Sequence, residues 1–153
     1  MIDPRGPRFA AALTTVVLAA VLLTGNVWLL AAQTTVFAIG AFVGVHRTPY
    51  AGVYRGLVRP RLAPPTELEP AAPPRFAQGV GFGFGVVGTL ALALGASTVG
   101  LVAVGLALAA AFLNAVFGFC LGCEMYLIGR RLLGPRTSAV APSRSPVGGE
   151  AAA

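Results

Sequence analysis

The chain has little charge, no lysine, and few residues that bind metals through sulfur or imidazole. Only 10% of its 153 residues are charged, all 11 basic residues are arginine, and there are two cysteines and one histidine. So little charge, with 56% hydrophobic residues and a mean hydropathy of +0.80, excludes an ordinary soluble domain. Cysteine and histidine alone cannot supply the four ligands of a structural zinc site within one copy of the chain.

Two long stretches contain no Asp, Glu, Lys or Arg: residues 9–45 and 76–123, of 37 and 48 residues. About 20 apolar residues cross the hydrocarbon core of a bilayer, so each stretch predicts two crossings. Turn residues at 24–26 and 95–98 divide each stretch into a helical hairpin. The fold class predicted is an all-α membrane protein with four transmembrane helices, near residues 9–24, 27–45, 76–94 and 99–120.

The start of the chain also has features of a signal peptide, because Arg5 and Arg8 precede an apolar run. No small-residue cleavage site precedes Asn26, and hydrophobicity resumes directly after it. We therefore expect the first apolar segment to be a retained membrane helix.

The arginines predict the orientation, because they all lie in the N-terminal tail, the central loop or the C-terminal tail. The positive-inside rule then places both termini and the central loop in the cytoplasm, with the protein spanning the plasma membrane several times. Excess arginine can also bind nucleic acid, but these residues flank membrane crossings, where arginine is a common anchor. We expect the lipid bilayer, and no nucleic acid, as a partner.

Short amphipathic segments follow each hairpin. After Thr48, a suitable N-cap, apolar residues recur with helical spacing and predict an interfacial helix over residues 49–59. Prolines in residues 60–74 predict an extended cytoplasmic linker, and the composition of residues 135–153 predicts a disordered tail.

The two halves of the chain share an entry motif and an exit motif, which predicts a parallel internal repeat. The residues from Pro7 to Ala10 recur as Pro74 to Ala77, and Arg55 aligns with Arg130 at an offset of 75. The same offset places Cys123 where Thr48 stands. It therefore predicts a second interfacial helix over 124–134, with Cys123 as its N-cap. The alternative is a fourth helix that runs unbroken through Arg131.

The cysteines Cys120 and Cys123 form a CxxC pair at the end of the last apolar segment. Such a pair can exchange disulfides, transfer a sulfur atom or bind a soft metal. A thiolate at a helix N-cap is stabilised by free backbone N–H groups, so Cys123 is the expected attacking thiol and Cys120 the resolving one. His46 is the candidate proton acceptor, and these three are the candidate catalytic residues.

Polar residues inside the apolar segments, including Gln33 and Asn114, must find partners in the bundle. We expect them to join helices rather than to contact the thiols. A glycine stripe, Gly81, Gly85 and Gly88, predicts close packing of the third helix.

Several segments resemble the bacterial membrane family called domain of unknown function 4395. They are residues 3–10, 59–62, 73–79 and 111–126, of which Phe-Cys-Leu-Gly-Cys-Glu-Met-Tyr is the most specific. The resemblance covers nearly all of residues 2–134. It implies no activity directly, but members are often encoded in actinobacteria near thioredoxin-like and rhodanese-type proteins, which are therefore the expected soluble partners. This context favours thiol or sulfur chemistry.

We therefore expect a cytoplasm-facing membrane thiol protein that exchanges disulfide electrons or sulfane sulfur with a soluble partner. One alternative is a membrane adaptor or assembly factor in which the cysteines only pack. Another is a copper or zinc protein, in which a homodimer would bring four thiolates together. In the cytoplasm a permanent structural disulfide is not expected. The sequence specifies no cofactor and leaves open whether the protein is an enzyme.

Overall fold

The computed structural model describes residues 1–65 and 67–133, and the regular secondary structure of these residues is helical. This confirms the predicted all-α class. The predicted disordered tail lies outside the described residues. The helices are α1 (Arg5–Thr24), α2 (Val27–Ala38, continued by a π-helical turn, Ile39–Val43), α3 (Pro49–Val53, continued by a π-helical turn, Tyr54–Val58, and a 3₁₀ turn, Arg59–Arg61), α4 (Ala72–Ala93), α5 (Ser97–Phe117) and α6 (Leu121–Leu133).

Three helices, α1, α4 and α5, are long and apolar enough to cross a membrane. The helix that α2 forms with its π-helical turn, Val27–Val43, is apolar but shorter. The turn of the first hairpin has the capping residues that the sequence predicts. Gly25 closes α1 in the left-handed conformation, and the side chain of Asn26 accepts the backbone N–H groups of Trp28 and Leu29 at the start of α2.

The helix bounds differ from those expected at several ends. The first and third helices begin at Arg5 and Ala72, four residues earlier than predicted. The predicted starts follow the charge-free stretches, but both helices extend through the arginine and proline residues before them, since proline is tolerated in the first turn, where a missing N–H has no intrahelical partner to lose. The fourth helix ends at Phe117, three residues before the predicted end, and the helix after it begins at Leu121.

The core lies between the apolar helices. α1 packs mainly on α5, and α4 packs on both α2 and α5. The buried apolar side chains that form the core cluster are Leu18, Val21, Leu30, Phe37, Val104 and Ala107. The glycine stripe of α4 faces α2: a Cβ on Gly81 would lie 2.9 Å from the ring of Phe37, and one on Gly85 would lie 2.5 Å from Thr34. The stripe therefore serves close helix packing.

The central helix α3 is tied to the bundle by tyrosines. Tyr50 donates to Gln33 Oε1 at 2.6 Å, and Gln33 donates to the hydroxyl of Thr14 at 3.4 Å. Tyr54 is buried, with 4% of its surface exposed, and donates to Asp3 at 2.9 Å. Burial raises the pKa of Tyr54, and the hydrogen bond to Asp3 acts in the same direction. Gln33 therefore joins α1, α2 and α3, as expected for a polar group inside a bundle.

Two arginines fasten the helices at one end of the bundle. Arg8 binds carbonyls at the end of α5, and Arg75 binds carbonyls at the end of α2. These are the orphan carbonyls of a helix C-terminus, where a cation is also favoured by the helix dipole. The four bonds are Arg8 Nε to Ala115 O at 3.3 Å, Arg8 Nη2 to Val116 O at 3.0 Å, Arg75 Nε to Ala41 O at 2.6 Å and Arg75 Nη2 to Phe42 O at 2.8 Å.

The linker before α4 is attached at the same end of the bundle. Ile2 and Glu69 exchange two backbone hydrogen bonds, of 2.8 and 2.9 Å. Arg5 also donates to the carbonyl of Ala63 at 3.0 Å. The beginning of α1 is thereby held beside the segment that leads into α4.

Candidate thiol site at the start of α6

The chain breaks between α5 and α6, directly before the cysteines. Gly118 ends α5 with φ +69°, a left-handed conformation that glycine adopts without strain. Cys120 then takes the N-cap position of α6. Its carbonyl accepts the N–H of Glu124 at 3.0 Å, and its Sγ accepts the N–H of Cys123 at 3.3 Å.

The prediction that Cys123 is the N-cap of this helix was therefore wrong. Cys120 caps the helix, and Cys123 lies one turn inside it. The error came from the offset of 75, which placed the break three residues too late. The sulfur of Cys120 is consequently the one that faces the free N–H groups and the positive end of the helix dipole.

The structure joins Cys120 and Cys123 in a disulfide, and both residues are half-buried. The helix that carries them packs on α4 at a very short distance, since a Cβ on Gly122 would lie 2.7 Å from the Cα and Cβ of Ala77. The rings of Phe76 and Tyr126 pack 5.7 Å apart beside this contact. The position of the cysteine pair thus depends on the crossing of α4 and α6.

Positive charge lies close to the break. A Cβ on Gly118 would lie 3.8 Å from the guanidinium of Arg8, and that guanidinium also lines the cavity next to the cysteines. A nearby cation favours a thiolate over a thiol. Glu124, in the first turn of α6, is exposed and acts in the opposite direction.

A cavity of about 580 Å³ adjoins the cysteine pair. It is bounded by the starts of α1 and α4, by α5 and by the first turn of α6. Its walls are mainly apolar, and its polar side chains include Arg8, Glu69, Gln78 and Asn114. Asn114 lies on the wall of the cavity that both cysteines also line, and the expectation that it does not contact the thiols stays a prediction.

His46 lies elsewhere. It follows the end of α2 and lines a second cavity of about 280 Å³, with Asp3, Tyr54 and Arg55. The structure therefore does not bring His46 into the cavity of the cysteines, and its role as a proton acceptor stays a prediction. Residues 1–65 and 67–133 contain no cluster of three or more His, Cys, Asp or Glu side chains.

Two side chains near the thiols were missed from the sequence. Arg8 stands in the sequence as a basic residue before the first apolar run and within a repeated motif, and its recurrence as Arg75 could have suggested a shared structural role. Gln78 directly follows the second copy of that motif, in α4, and carries no pattern that points to the cysteines.

The comparisons with known proteins agree with the resemblance in the sequence. The family model described as Domain of unknown function (DUF4395) matches residues 2–131. No curated protein and no solved structure matches the chain. Because this match covers most of the chain and includes both cysteines at the start of α6, the chain belongs to the DUF4395 family.

Proposed function

We propose that this protein exchanges disulfides with a soluble partner at the cytoplasmic surface of the plasma membrane. The observation that carries the proposal is the position of Cys120 at the N-cap of α6, where its sulfur accepts a backbone N–H. In the structure this sulfur belongs to the disulfide. Once it is reduced and ionised, a hydrogen bond to the charged sulfur contributes about 1.5–3 kcal/mol, and the helix N-terminus adds roughly 0.3–1 kcal/mol. Cys120 is therefore the attacking thiol in this proposal, and Cys123 the resolving one.

The exchange proceeds through a mixed disulfide. The thiolate of Cys120 attacks a disulfide of the partner, forming one S–S bond and releasing one partner thiolate. The thiolate of Cys123 then attacks Cys120, which restores the Cys120–Cys123 disulfide and leaves the partner as a dithiol. In the reverse direction a partner dithiol reduces the pair by the same two steps. A thioredoxin-like protein is a partner of suitable chemistry.

Four crossings complete the proposed topology. The start of α1 lies beside the linker before α4, and Arg75 at the start of α4 binds the end of α2. Because α1 begins at this end of the bundle and α2 ends there, α2 has to cross the bilayer in the direction opposite to α1. Its 17 residues extend about 26 Å, slightly less than a hydrocarbon core of about 30 Å. A local thinning of the bilayer accommodates this difference.

An internal repeat is supported by matching contacts. Arg8 binds the carbonyls of residues 115 and 116, and Arg75 binds those of residues 41 and 42. The two pairs of carbonyls are 74 positions apart in the chain. Thr48 and Cys120 are both N-caps. After each N-cap a tyrosine packs on the phenylalanine of an entry motif: Tyr54 on Phe9 at 5.8 Å and Tyr126 on Phe76 at 5.7 Å.

In this repeat Cys120 corresponds to Thr48, so the offset of the interfacial helices is 72 rather than 75. The first half has a hydroxyl cap where the second has a sulfur cap. Both halves would then consist of a helical hairpin followed by an interfacial helix, and both would enter the membrane from the same side.

The orientation is proposed from the arginines. Arg8 and Arg75, which bind the carbonyls at the ends of helices, lie at the same end of the bundle as the cysteine pair. The positive-inside rule places this end in the cytoplasm, together with both termini.

Mixed-disulfide trapping in cells tests the function. The Cys123→Ser variant keeps the attacking thiol but cannot resolve the adduct, so it should accumulate a disulfide-linked partner. The Cys120→Ser variant is the matched control and should capture at least tenfold less. Equal capture by both, or by neither, would contradict the proposal.

Sulfane sulfur transfer is a second candidate, because it uses the same attacking thiolate and because rhodanese-type proteins are expected partners. In that case the thiolate of Cys120 would attack the outer sulfur of a partner persulfide, so that a new S–S bond forms on Cys120, the S–S bond of the partner breaks and the partner leaves as a thiolate. Mass spectrometry of Cys120 after incubation with a persulfide donor distinguishes the two, since disulfide exchange adds no single sulfur atom.

The adaptor and metal alternatives predict other outcomes. An adaptor would keep its cellular function when both cysteines are replaced by serine. A copper or zinc protein would co-purify with metal in proportion to its thiols, with four thiolates supplied by two copies of the chain.

A further inference from the structure

The cavity beside the cysteine pair has the properties of a binding site for a small lipid-soluble molecule. Its volume of about 580 Å³ lies within the 300–1,000 Å³ typical of small-ligand sites, which combine apolar walls with a few polar groups. Along α5 the lining extends from Leu106 to Gly118, about 18 Å of helix. The cavity thus reaches from the cysteines into the depth of the bundle.

The rim of the cavity is exposed and apolar. Leu106 is 54% exposed, Met125 51% and Leu121 40%, and all three line the cavity. In a bilayer such side chains lie against acyl chains. A ligand can therefore enter from the lipid, which favours a molecule dissolved in the membrane over one dissolved in the cytoplasm.

The polar side chains on the wall are mostly hydrogen-bond donors: Arg8, Gln78 and Asn114 line the cavity together with one carboxylate, Glu69. The carboxamides of Gln78 and Asn114 have no hydrogen-bond partner among residues 1–65 and 67–133. Gln78 packs against Gly40 in the π-helical turn of α2 and also lines the second cavity. Arg8 uses Nε and Nη2 for the end of α5, and its Nη1 has no partner within the described part of the chain, residues 1–65 and 67–133. Carboxamide N–H groups and a guanidinium would suit a ligand that carries carbonyl oxygens on a flat apolar body.

We propose that this cavity binds the ring of a membrane quinone, and that the reduced Cys120–Cys123 pair passes two electrons to it. A quinone has two carbonyl acceptors, an apolar ring and a tail soluble in lipid, and it is reduced by two electrons. The inference rests on the proposed function, which supplies the reduced pair from a soluble dithiol.

The transfer balances in two steps. The thiolate of Cys120 adds to a ring carbon of the quinone, which forms an S–C bond and places an electron pair on a ring oxygen. The thiolate of Cys123 then attacks Cys120 Sγ, so that the S–S bond forms, the S–C bond breaks and its electron pair enters the ring. The two protons released by the thiols end on the two ring oxygens as hydroquinone. Arg8, Gln78 and Asn114 donate to these oxygens as their negative charge grows.

The test uses the full chain in lipid nanodiscs with decylubiquinone as the probe. The cysteines are first reduced chemically and the reductant is removed, so that the reaction does not depend on any partner. We expect one decylubiquinone reduced per protein, followed by ultraviolet absorbance, at a rate at least tenfold above that of an equal concentration of free dithiol. A rate equal to that of the free dithiol would overturn the inference.

A substitution inside the cavity identifies the site. Ala110→Phe places a ring among the lining residues, and Val116→Phe on the same helix is the control, since Val116 is 49% exposed and does not line the cavity. Quinone reduction should fall at least tenfold for Ala110→Phe and less than twofold for Val116→Phe. Equal rates in the two variants would overturn the inference, and would indicate that the cavity holds lipid.

Failure of the two proposals can be told apart by one further measurement. Reduction of the disulfide by a soluble dithiol, with no quinone present, should be the same in Ala110→Phe and wild type. If that reaction proceeds and quinone reduction does not, only the quinone inference fails. If the disulfide does not react with dithiols at all, the proposed exchange fails with it.

Discussion

The crossing of α4 and α6 gives a prediction that can be worked out from one distance. The Gly122→Ala variant places a Cβ 2.7 Å from the Cα and Cβ of Ala77, whereas carbon atoms in contact lie about 3.5–4.0 Å apart. Helix α6 must therefore move away from α4 by about 1 Å. Overpacking of this kind costs about 1–3 kcal/mol, and the alanine returns roughly 1 kcal/mol through helix propensity.

The matched control is Gly129→Ala in the same helix, where a Cβ meets nothing within 4 Å. Both variants gain helix propensity, so the difference between them isolates the clash. Hydrogen exchange of the α6 amides in nanodiscs measures the free energy of local opening. The opening constant of Gly122→Ala should exceed that of Gly129→Ala by about 5- to 150-fold, which corresponds to 1–3 kcal/mol. Equal exchange in the two variants would refute the close crossing.

Three further predictions concern charge and protonation. Arg8→Met should lower the rate at which Cys120 reacts with a small aromatic disulfide at neutral pH by about 3- to 10-fold, since a favourable nearby charge is worth roughly 1 kcal/mol. The control is Arg75→Met, which removes the matching contact at the end of α2 and should leave the rate unchanged. The raised pKa of Tyr54 means that the folded state retains the phenol proton more strongly than the unfolded state, so its contribution is present below the unfolded value of 10.0 and is lost as pH rises above it. Denaturation at a series of pH values should show this loss in wild type and a weaker one in Tyr54→Phe. His46→Gln should leave the rate of disulfide exchange within twofold of wild type, because His46 does not line the cavity of the cysteines; a tenfold loss would restore it as the proton acceptor.

The helical class and the first hairpin turn could be read from the sequence because they depend on local signals. Long charge-free stretches require helices in a bilayer, and Gly25 with Asn26 carries both a C-cap and an N-cap in two residues. The glycine stripe of α4 was also readable, since its period places the small residues on one face.

The details of the cysteine site depend on contacts that are distant in sequence. Arg8 reaches α5 across more than 100 residues, and no spacing within either segment predicts that bond. The break was predicted three residues too late, although glycines stand at 118 and 122 on either side of the predicted helix end. The structure ends the helix at Gly118 and uses Gly122 for the crossing with Ala77. Packing against α4 determines where the helix ends, and local helix propensity does not predict it.

Labelling of the cysteines from each side of the membrane tests the central claim most directly. Chemically reduced protein is exposed to a membrane-impermeant thiol reagent in right-side-out and in inverted vesicles, and the modified residues are identified by mass spectrometry. We predict that Cys120 is modified in inverted vesicles, where the cytoplasmic surface faces outward, and is protected in right-side-out vesicles. Modification from the outer surface alone, or no modification in either preparation, would contradict a reactive thiol pair at the cytoplasmic surface.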